Sequence, residues 1–508
     1  MIENNKILLG KGEKNVYLLP KQANRHGLIA GATGTGKTVT LKILAEDFSQ
    51  LQVPVFIADI KGDIAGLAKA GENSEALQTR INTLKLKDFK FQAAPVCFFD
   101  VFGERGHPVR TTISDMGPDF MARILDLTKI QDGVLHIIYR IADDNNLKLI
   151  DLKDLTAMLQ YVGKHNKEYT TNYGNVSKQS VGAILRAVLE LKDAGGDMFF
   201  NEPLFDINDF LKLQNQQGVI NVLDCVKLYR SPLLYSTFLL WLLSELFENL
   251  PEVGDLDKPK FVFFFDEAHL LFKDAPKALI QQIEQVIKLV RSKGVGIFFI
   301  TQNPTDIPDA VLSQLGNRIQ HALRAYTPKE LKNVKAAANS FRTNPQFKTN
   351  EVIRELKTGE ALVSCLDKDG IPSIVERTLI CPPQCSFKTI PDLYRQTLIT
   401  SSLLYGKYEE IIDENSAYEI LTTILEQEQS QTSQTKNKRS KKSLIERATT
   451  NAMGTLTRET TKTFIGSVTG NYNPRKSPLE KAANSLVSTI SGEIGRSFSR
   501  GLFGILKK

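Results

Sequence analysis

Short runs of consecutive apolar residues recur along this chain, each followed by a stretch whose apolar positions fall at helical spacing. Gly27-Leu28-Ile29-Ala30, Pro54-Val55-Phe56-Ile57-Ala58-Asp59, Val96-Cys97-Phe98-Phe99-Asp100-Val101, Gly218-Val219-Ile220-Asn221-Val222-Leu223, Phe261-Val262-Phe263-Phe264-Phe265 and Val295-Gly296-Ile297-Phe298-Phe299-Ile300 lack the apolar–polar alternation of a half-exposed strand. They read as strands buried on both faces, as in a parallel sheet. Val39 to Phe48, with Leu41, Leu44, Ala45 and Phe48 on one side, reads as a helix. The alternation predicts an α/β fold, a parallel sheet flanked by helices. From about 103 to 217 the period turns helical, as in Met121-Ala122-Arg123-Ile124-Leu125 and Val181 to Leu191, which predicts a mainly helical insertion. The longest apolar stretch, Pro232 to Leu246, is broken by Tyr235, Ser236, Thr237 and Ser244. It falls short of the roughly 20 residues a membrane span needs and reads as a buried helix.

The loop between the first strand and first helix carries the chemistry. Gly31-Ala32-Thr33-Gly34-Thr35-Gly36-Lys37-Thr38 fits G-x-x-x-x-G-K-[ST], with Val39 following. In that pattern small residues let backbone N–H groups wrap phosphates while a lysine reaches the β- and γ-phosphates. The helix N-terminus behind it favours negative charge. Asp266-Glu267 ends the phenylalanine-rich strand, where a parallel strand delivers its side chains to the active edge. Asp266 is expected to hold Mg²⁺ with the Thr38 hydroxyl, and Glu267 to polarise the attacking water. The second carboxylate argues for hydrolysis over phosphate transfer to a small molecule. ATP is the expected nucleotide, since no N-K-x-D guanine-reading motif follows the sheet strands. At the tip of the next strand, in Ile300-Thr301-Gln302-Asn303-Pro304, Gln302 is a candidate sensor of hydrolysis; turn chemistry ahead of Pro304 is the alternative.

The 42% apolar content of the 508 residues is ample for a large core. Five cysteines, at 97, 225, 365, 381 and 385, make neither a zinc nor a disulfide framework, and Cys381-Pro-Pro-Gln-Cys385 stands without a second pair. With no secretory leader at the start, the expected compartment is the cytoplasm. The formal charge of +7 lies wholly in the tail: from Lys436 to Lys508 there are nine lysines and six arginines against four glutamates. Gln427 to Ser443 is polar and repetitive and is expected to be a disordered linker. Leu479, Ala483, Leu486, Ile490, Ile494, Phe498 and Leu502 then recur at helical intervals beside Lys481, Arg496 and Arg500, an amphipathic basic helix. Three uses of that tail stay open: contact with DNA phosphates, an anionic membrane surface, or packing on the core or on other subunits.

Taken in order, the glycine-rich loop, Asp59-Ile60-Lys61-Gly62-Asp63, Asp266-Glu267-Ala268-His269 and Thr301-Gln302-Asn303-Pro304 resemble the HerA/FtsK branch of P-loop motor ATPases. Asp100-Val101-Phe102-Gly103-Glu104-Arg105-Gly106-His107-Pro108-Val109-Arg110-Thr111-Thr112 is similar to the bacterial HerA-like helicase C-terminal family. The resemblance covers about residues 5 to 400. It implies a RecA-like P-loop NTPase core, a homo-oligomer that in better-studied relatives is a hexameric ring, and translocation on double-stranded DNA; it also strengthens the sensor reading of Gln302. Such rings place an arginine against the neighbour's γ-phosphate. Arg318 is the first candidate, Arg291 the second and Arg324 the third, against the alternative that a helix-ending arginine merely answers the helix dipole. The resemblance departs in two places: only two short strands, Leu8-Leu9-Gly10 and Val16-Tyr17-Leu18-Leu19, precede the loop where relatives carry an N-terminal barrel, and no winged-helix module is visible.

The expected organisation is therefore 1–102, short strands and the first part of the core; 103–217, helical insertion; 218–400, second part of the core; 401–426, helical extension; 427–478, polar basic linker; and 479–508, amphipathic helix. The expected function is Mg²⁺-dependent ATP hydrolysis by an oligomeric DNA translocase or helicase. The alternative is an ATP-driven switch that remodels a protein or membrane partner, and the sequence names no nuclease partner.

Overall fold

The computed structural model describes residues 1–254, 256–272, 277–412 and 415–434. Within them the chain forms two compact units, Met1–Val109 with Phe205–Glu409, and Arg110–Leu204 with the chain from Glu410 on.

The first unit is built on a twelve-stranded sheet. In chain order its strands are β1 (Ile2–Glu3), β2 (Lys6–Lys11), β3 (Asn15–Leu18), β4 (Gly27–Ala30), β5 (Val55–Asp59), β6 (Val96–Phe99), β7 (Ile220–Asp224), β8 (Phe261–Phe265), β9 (Val295–Thr301), β10 (Asn317–Gln320), β11 (Glu360–Ser364) and β12 (Glu376–Ile380). The spatial order is β1-β2-β12-β11-β10-β4-β9-β8-β5-β7-β6, with β3 on β2. From β10 to β6 every pairing is parallel. From β10 outward through β11, β12, β2, β1 and β3 every pairing is antiparallel.

The strand residues follow from two-sided burial. All five residues of β8 are buried, as are all seven of β9. On one face Phe264 stacks on Phe298 at 5.2 Å, and Phe48 of the Lys37–Gln50 helix meets both rings at 6.4 and 6.1 Å. The Pro232–Asn249 helix, apolar on all sides, is buried along most of its length, and none of the described helices is long and apolar enough to cross a membrane. The two N-terminal strands expected from the sequence join the main sheet through β12, where Ile380 pairs with Gly10. All five cysteines are free thiols.

Residues 103–109 and 205–217 belong to the sheet unit. The Asp100 carboxylate accepts the N–H groups of Phe102, Glu104 and Arg105, and His107 exchanges backbone bonds with Phe98 and Asp100 at the end of β6. Phe205 and Phe210 pack edge-on against Phe99. The helical unit thus begins at Arg110 and closes at Leu204, inside the expected 103–217.

In the second unit the helices Ile113–Ile124, Lys129–Asp144, Leu152–Lys164 and Lys178–Asp193 bury apolar stripes such as Leu155, Met158, Leu159 and Val162. Thr128 and Asp151 begin two of them with reciprocal capping boxes. The Ala417–Gln434 helix joins this unit, because Asp154 accepts the Ser416 hydroxyl and the Tyr418 N–H. It carries helical backbone eight residues into the stretch expected to be linker; 435–508, with the predicted amphipathic helix, lie outside the described residues.

Candidate active site

Parallel strands end on one edge, so the residues just beyond β4, β5, β8, β9 and β10 converge there. The order β10-β4-β9-β8-β5 places the phosphate-loop candidates between Gln302 on one side and His321 on the other, with Asp266-Glu267 flanked by Gln302 and Lys61.

The loop 31–36 rises from β4 and runs into the helix that begins at Lys37. Gly31 has φ +154°, and a Cβ there would lie 2.5 Å from the Cβ of His321; Gly36, the residue before the helix, has φ +116°. Both positions therefore need glycine. Thr35 accepts the Gly359 N–H through its carbonyl and donates its hydroxyl to Ala32, which closes the loop on itself. Among the described residues, the N–H groups of Thr33, Gly34 and Gly36 bond no carbonyl, so they are open to an anion at a helix N-terminus. Lys37 donates to the loop's own Gly31 and Ala32 carbonyls at 2.6 and 3.0 Å. Burial, with Lys61 beside it, holds its ammonium below the usual lysine range. Thr38 and Val39 follow in the first turn, both half-buried.

Asp266 is 3% exposed, and its Oδ2 has no hydrogen-bond partner. Burial raises this carboxyl to about 6. A buried carboxylate oxygen without a donor suits a cation. No group of three or more His, Cys, Asp or Glu side chains able to hold a metal occurs among the described residues. Mg²⁺ fits such a sparse site, because it keeps several waters and takes one or two carboxylates together with substrate phosphates.

Glu267 is 4% exposed and sits at φ +45°, a conformation few non-glycine residues adopt. Its Oε1 is 2.5 Å from Lys61 Nζ, and Gln302 Nε2 donates to Oε1 and Oε2 at 3.3 and 3.5 Å. His269 Nδ1 stands 3.4 Å from Oε2. Burial works to raise this carboxyl, but the Lys61 ammonium and the Gln302 amide outweigh it and hold it below the usual range.

Two participants escaped the motif reading. Lys61 lies in a run that attracts notice, but its pairing with Glu267 arises only because β5 lies against β8, Ala58 opposite Phe265. His321 had no local signal. Its Nδ1 donates to the Glu360 carbonyl at 3.0 Å, which leaves Nε2 to accept the Thr40 hydroxyl at 2.9 Å.

The arginines are placed differently. Arg318 donates to the carbonyls of Leu315, Ser340 and Leu312 at 3.2, 3.3 and 3.2 Å. Exposed Arg291 precedes the N-terminal end of β9, at the edge opposite Gln302. Exposed Arg324 follows β10 on the phosphate-loop edge and donates to the Arg354 carbonyl.

The profile of the family described as Helicase HerA-like C-terminal matches residues 4–508. The DNA double-strand break repair helicase HerA of Sulfurisphaera tokodaii is 23% identical over 381 residues, 70% of this chain and 66% of its own length, so the match spans just under two thirds of that relative. The bacterial conjugative coupling protein TrwBdeltaN70, in its unbound monoclinic form, superposes with a TM-score of 0.52 at 13% identity over 77% of this chain and 92% of its own. The plasmid coupling protein TrwB in complex with the non-hydrolysable ATP analogue ADPNP superposes equally well, with the same identity and coverage. At such identity the likeness is one of fold.

Proposed function

The chain belongs to the Helicase HerA-like C-terminal family, and on that premise we propose that it is a Mg²⁺-dependent ATP-hydrolysing motor that works as a homo-oligomer on double-stranded DNA. The observation that carries the hydrolysis reading is the meeting, on one sheet edge, of a phosphate loop with open N–H groups, the unpartnered Asp266 Oδ2 and Glu267.

In this reading the N–H groups of 33–38 and the Lys37 ammonium, released from the Gly31 and Ala32 carbonyls, bind the β- and γ-phosphates. The Thr38 hydroxyl and Asp266 would hold Mg²⁺, which would neutralise charge building on the phosphate oxygens. Glu267 accepts the proton of the attacking water. Gln302, bonded to Glu267 and followed directly by the 304–306 turn, reports the condition of the base to the surface. Arg318, Arg291 and Arg324 remain the candidates for a contribution in trans.

The DNA reading is supported by the family and by the Pro328–Asn339 helix. That helix buries Val334, Ala337 and Ala338 and turns Lys329, Lys332 and Lys335 outward, with Tyr326 86% exposed just before it. None of the three lysines has an ion-pair partner within 4 Å among the described residues, as suits groups meant for backbone phosphates. Lys329 lies near Asp306 of the turn that follows Gln302.

The test is the steady-state ATPase rate of the full chain with and without linear double-stranded DNA, at low and moderate salt. Hydrolysis stimulated by DNA, and less so as salt rises, is the expected result. Hydrolysis indifferent to DNA in every condition would replace this reading with the remodelling switch, and no hydrolysis at all would end both.

A further inference from the structure

Glu267 is placed to take a proton from water, yet both its oxygens are already engaged. Oε1 holds Lys61 at 2.5 Å and Gln302 at 3.3 Å; Oε2 holds Gln302 at 3.5 Å with His269 at 3.4 Å. His269 Nδ1 makes no hydrogen bond, so Oε2 keeps a lone pair for water, but the charged partner on Oε1 weakens the whole carboxylate as a base. The partners differ in kind. The Gln302 bonds are long and neutral, whereas the Lys61 bond is short and ionic, the class of bond that contributes most.

Lys61 is also built to be released. Its side chain is 37% exposed while that of Glu267 is 6% exposed, so the ammonium can leave without opening the core. Its backbone stays fixed, because the Asp59 carboxylate accepts the N–H groups of Gly62 and Ile64 at 2.7 and 3.1 Å. Lys37 lies close enough for the two ammonium groups to repel.

We infer that Lys61 is a positioning residue that restrains Glu267: its ammonium occupies Oε1 and weakens the base, and this ion pair must loosen each time Glu267 takes a proton from water. This rests on the general-base reading of Glu267. Removing the ammonium then frees the base and raises turnover, which a loss of mere structure would not do.

The experiment measures hydrolysis by the full chain without DNA, together with the dissociation constant of a fluorescent ATP analogue. Lys61→Met is expected to raise kcat roughly tenfold, the effect of about one charge-assisted hydrogen bond, while KM and analogue affinity stay within about twofold. Lys61→Gln, which keeps a polar group should the methionine variant misfold, is expected to do the same to a smaller extent. Lys61→Arg is expected to restore the parental kcat. A kcat unchanged or lowered in the methionine and glutamine variants would overturn the restraint. The two readings fail separately: Glu267→Gln at the parental rate would remove the general base and the restraint together, whereas an inactive Glu267→Gln beside an unaccelerated Lys61→Met removes the restraint alone.

Discussion

Single side chains in this protein are set by the tautomer or charge their neighbours permit. His26 Nδ1 accepts the Ile297 N–H at 3.0 Å, so Nε2 carries the proton donated to the Ile287 carbonyl at 3.0 Å. His321 is likewise neutral, donating from Nδ1 and accepting at Nε2. Burial is the main cause that pushes both down to about 4, with Arg291 beside the first ring and Lys37 beside the second adding to it. An unfolded histidine titrates near about 6.5, so the unfolded chain binds these protons first. The stability the two rings contribute is whole above about pH 6.5 and is lost as pH falls toward 4, on the order of 3 kcal/mol apiece. In urea titrations the parent is expected to lose stability between pH 7.0 and 5.5, and His321→Gln to lose about 1 kcal/mol less over that interval. An equal loss in both would place the sensitivity elsewhere. At the reaction centre, Lys37→Ala is expected to abolish tight nucleotide binding, and Glu267→Gln to bind ATP and not turn it over. That Lys37, Asp266 and Glu267 meet on one sheet edge could be read from sequence because each motif is contiguous and ends a parallel strand. Lys61 and His321 could not, because their partners are brought to them only by the pairing of β5 with β8 and of β10 with β4.

Among whole elements, legibility followed burial. The six apolar runs correspond to β4 to β9 within about two residues, since a parallel strand covered on both faces shows its length in its composition. The antiparallel β12 gave no such signal: Glu376-Arg377-Thr378-Leu379-Ile380 buries only Thr378 and Ile380, and its mixed pattern reads as loop. The end of the helical insertion was blurred because Phe205 and Phe210, apolar and close to helices, pack on Phe99 of the sheet. Arg318 illustrates how an element can claim a residue that its position suggests for catalysis. Its guanidinium ties the end of the Asp309–Leu312 turn and Leu315 to Ser340, after the Pro328–Asn339 helix. Arg318→Ala takes a donor from three carbonyls, of which that of Leu312 keeps the Leu315 N–H, and a loss of about 1–3 kcal/mol in chemical denaturation is expected. If the side chain serves only this joint, folded Arg318→Ala keeps its ATPase activity; an inactive Arg318→Ala that regains activity when mixed with inactive Glu267→Gln protein would instead give Arg318 the trans role.

At the scale of the molecule, charge decides where DNA can be held. The formal excess of +7 lies entirely beyond Thr435, so the rest of the chain is net acidic and must attract phosphates through a local patch if it does so at all. The outward face of the Pro328–Asn339 helix is such a patch, and it adjoins the turn after Gln302, which touches the base. The tail has more charge and lies outside the described residues. The two should therefore separate in function. Replacing Lys329, Lys332 and Lys335 together by alanine is expected to lower DNA stimulation of the ATPase while leaving the DNA-free rate intact. The same replacement is expected to make the log–log salt dependence of DNA binding shallower by about 3, near 0.9 for each phosphate that is no longer neutralised. A chain ending at Gln434 is expected to bind DNA less tightly at low salt and to keep its stimulation, because the lysines of the Pro328–Asn339 helix remain beside the turn after Gln302. Stimulation that vanishes with the tail and survives the triple alanine replacement would reverse the assignment, making the tail the element through which DNA acts on hydrolysis.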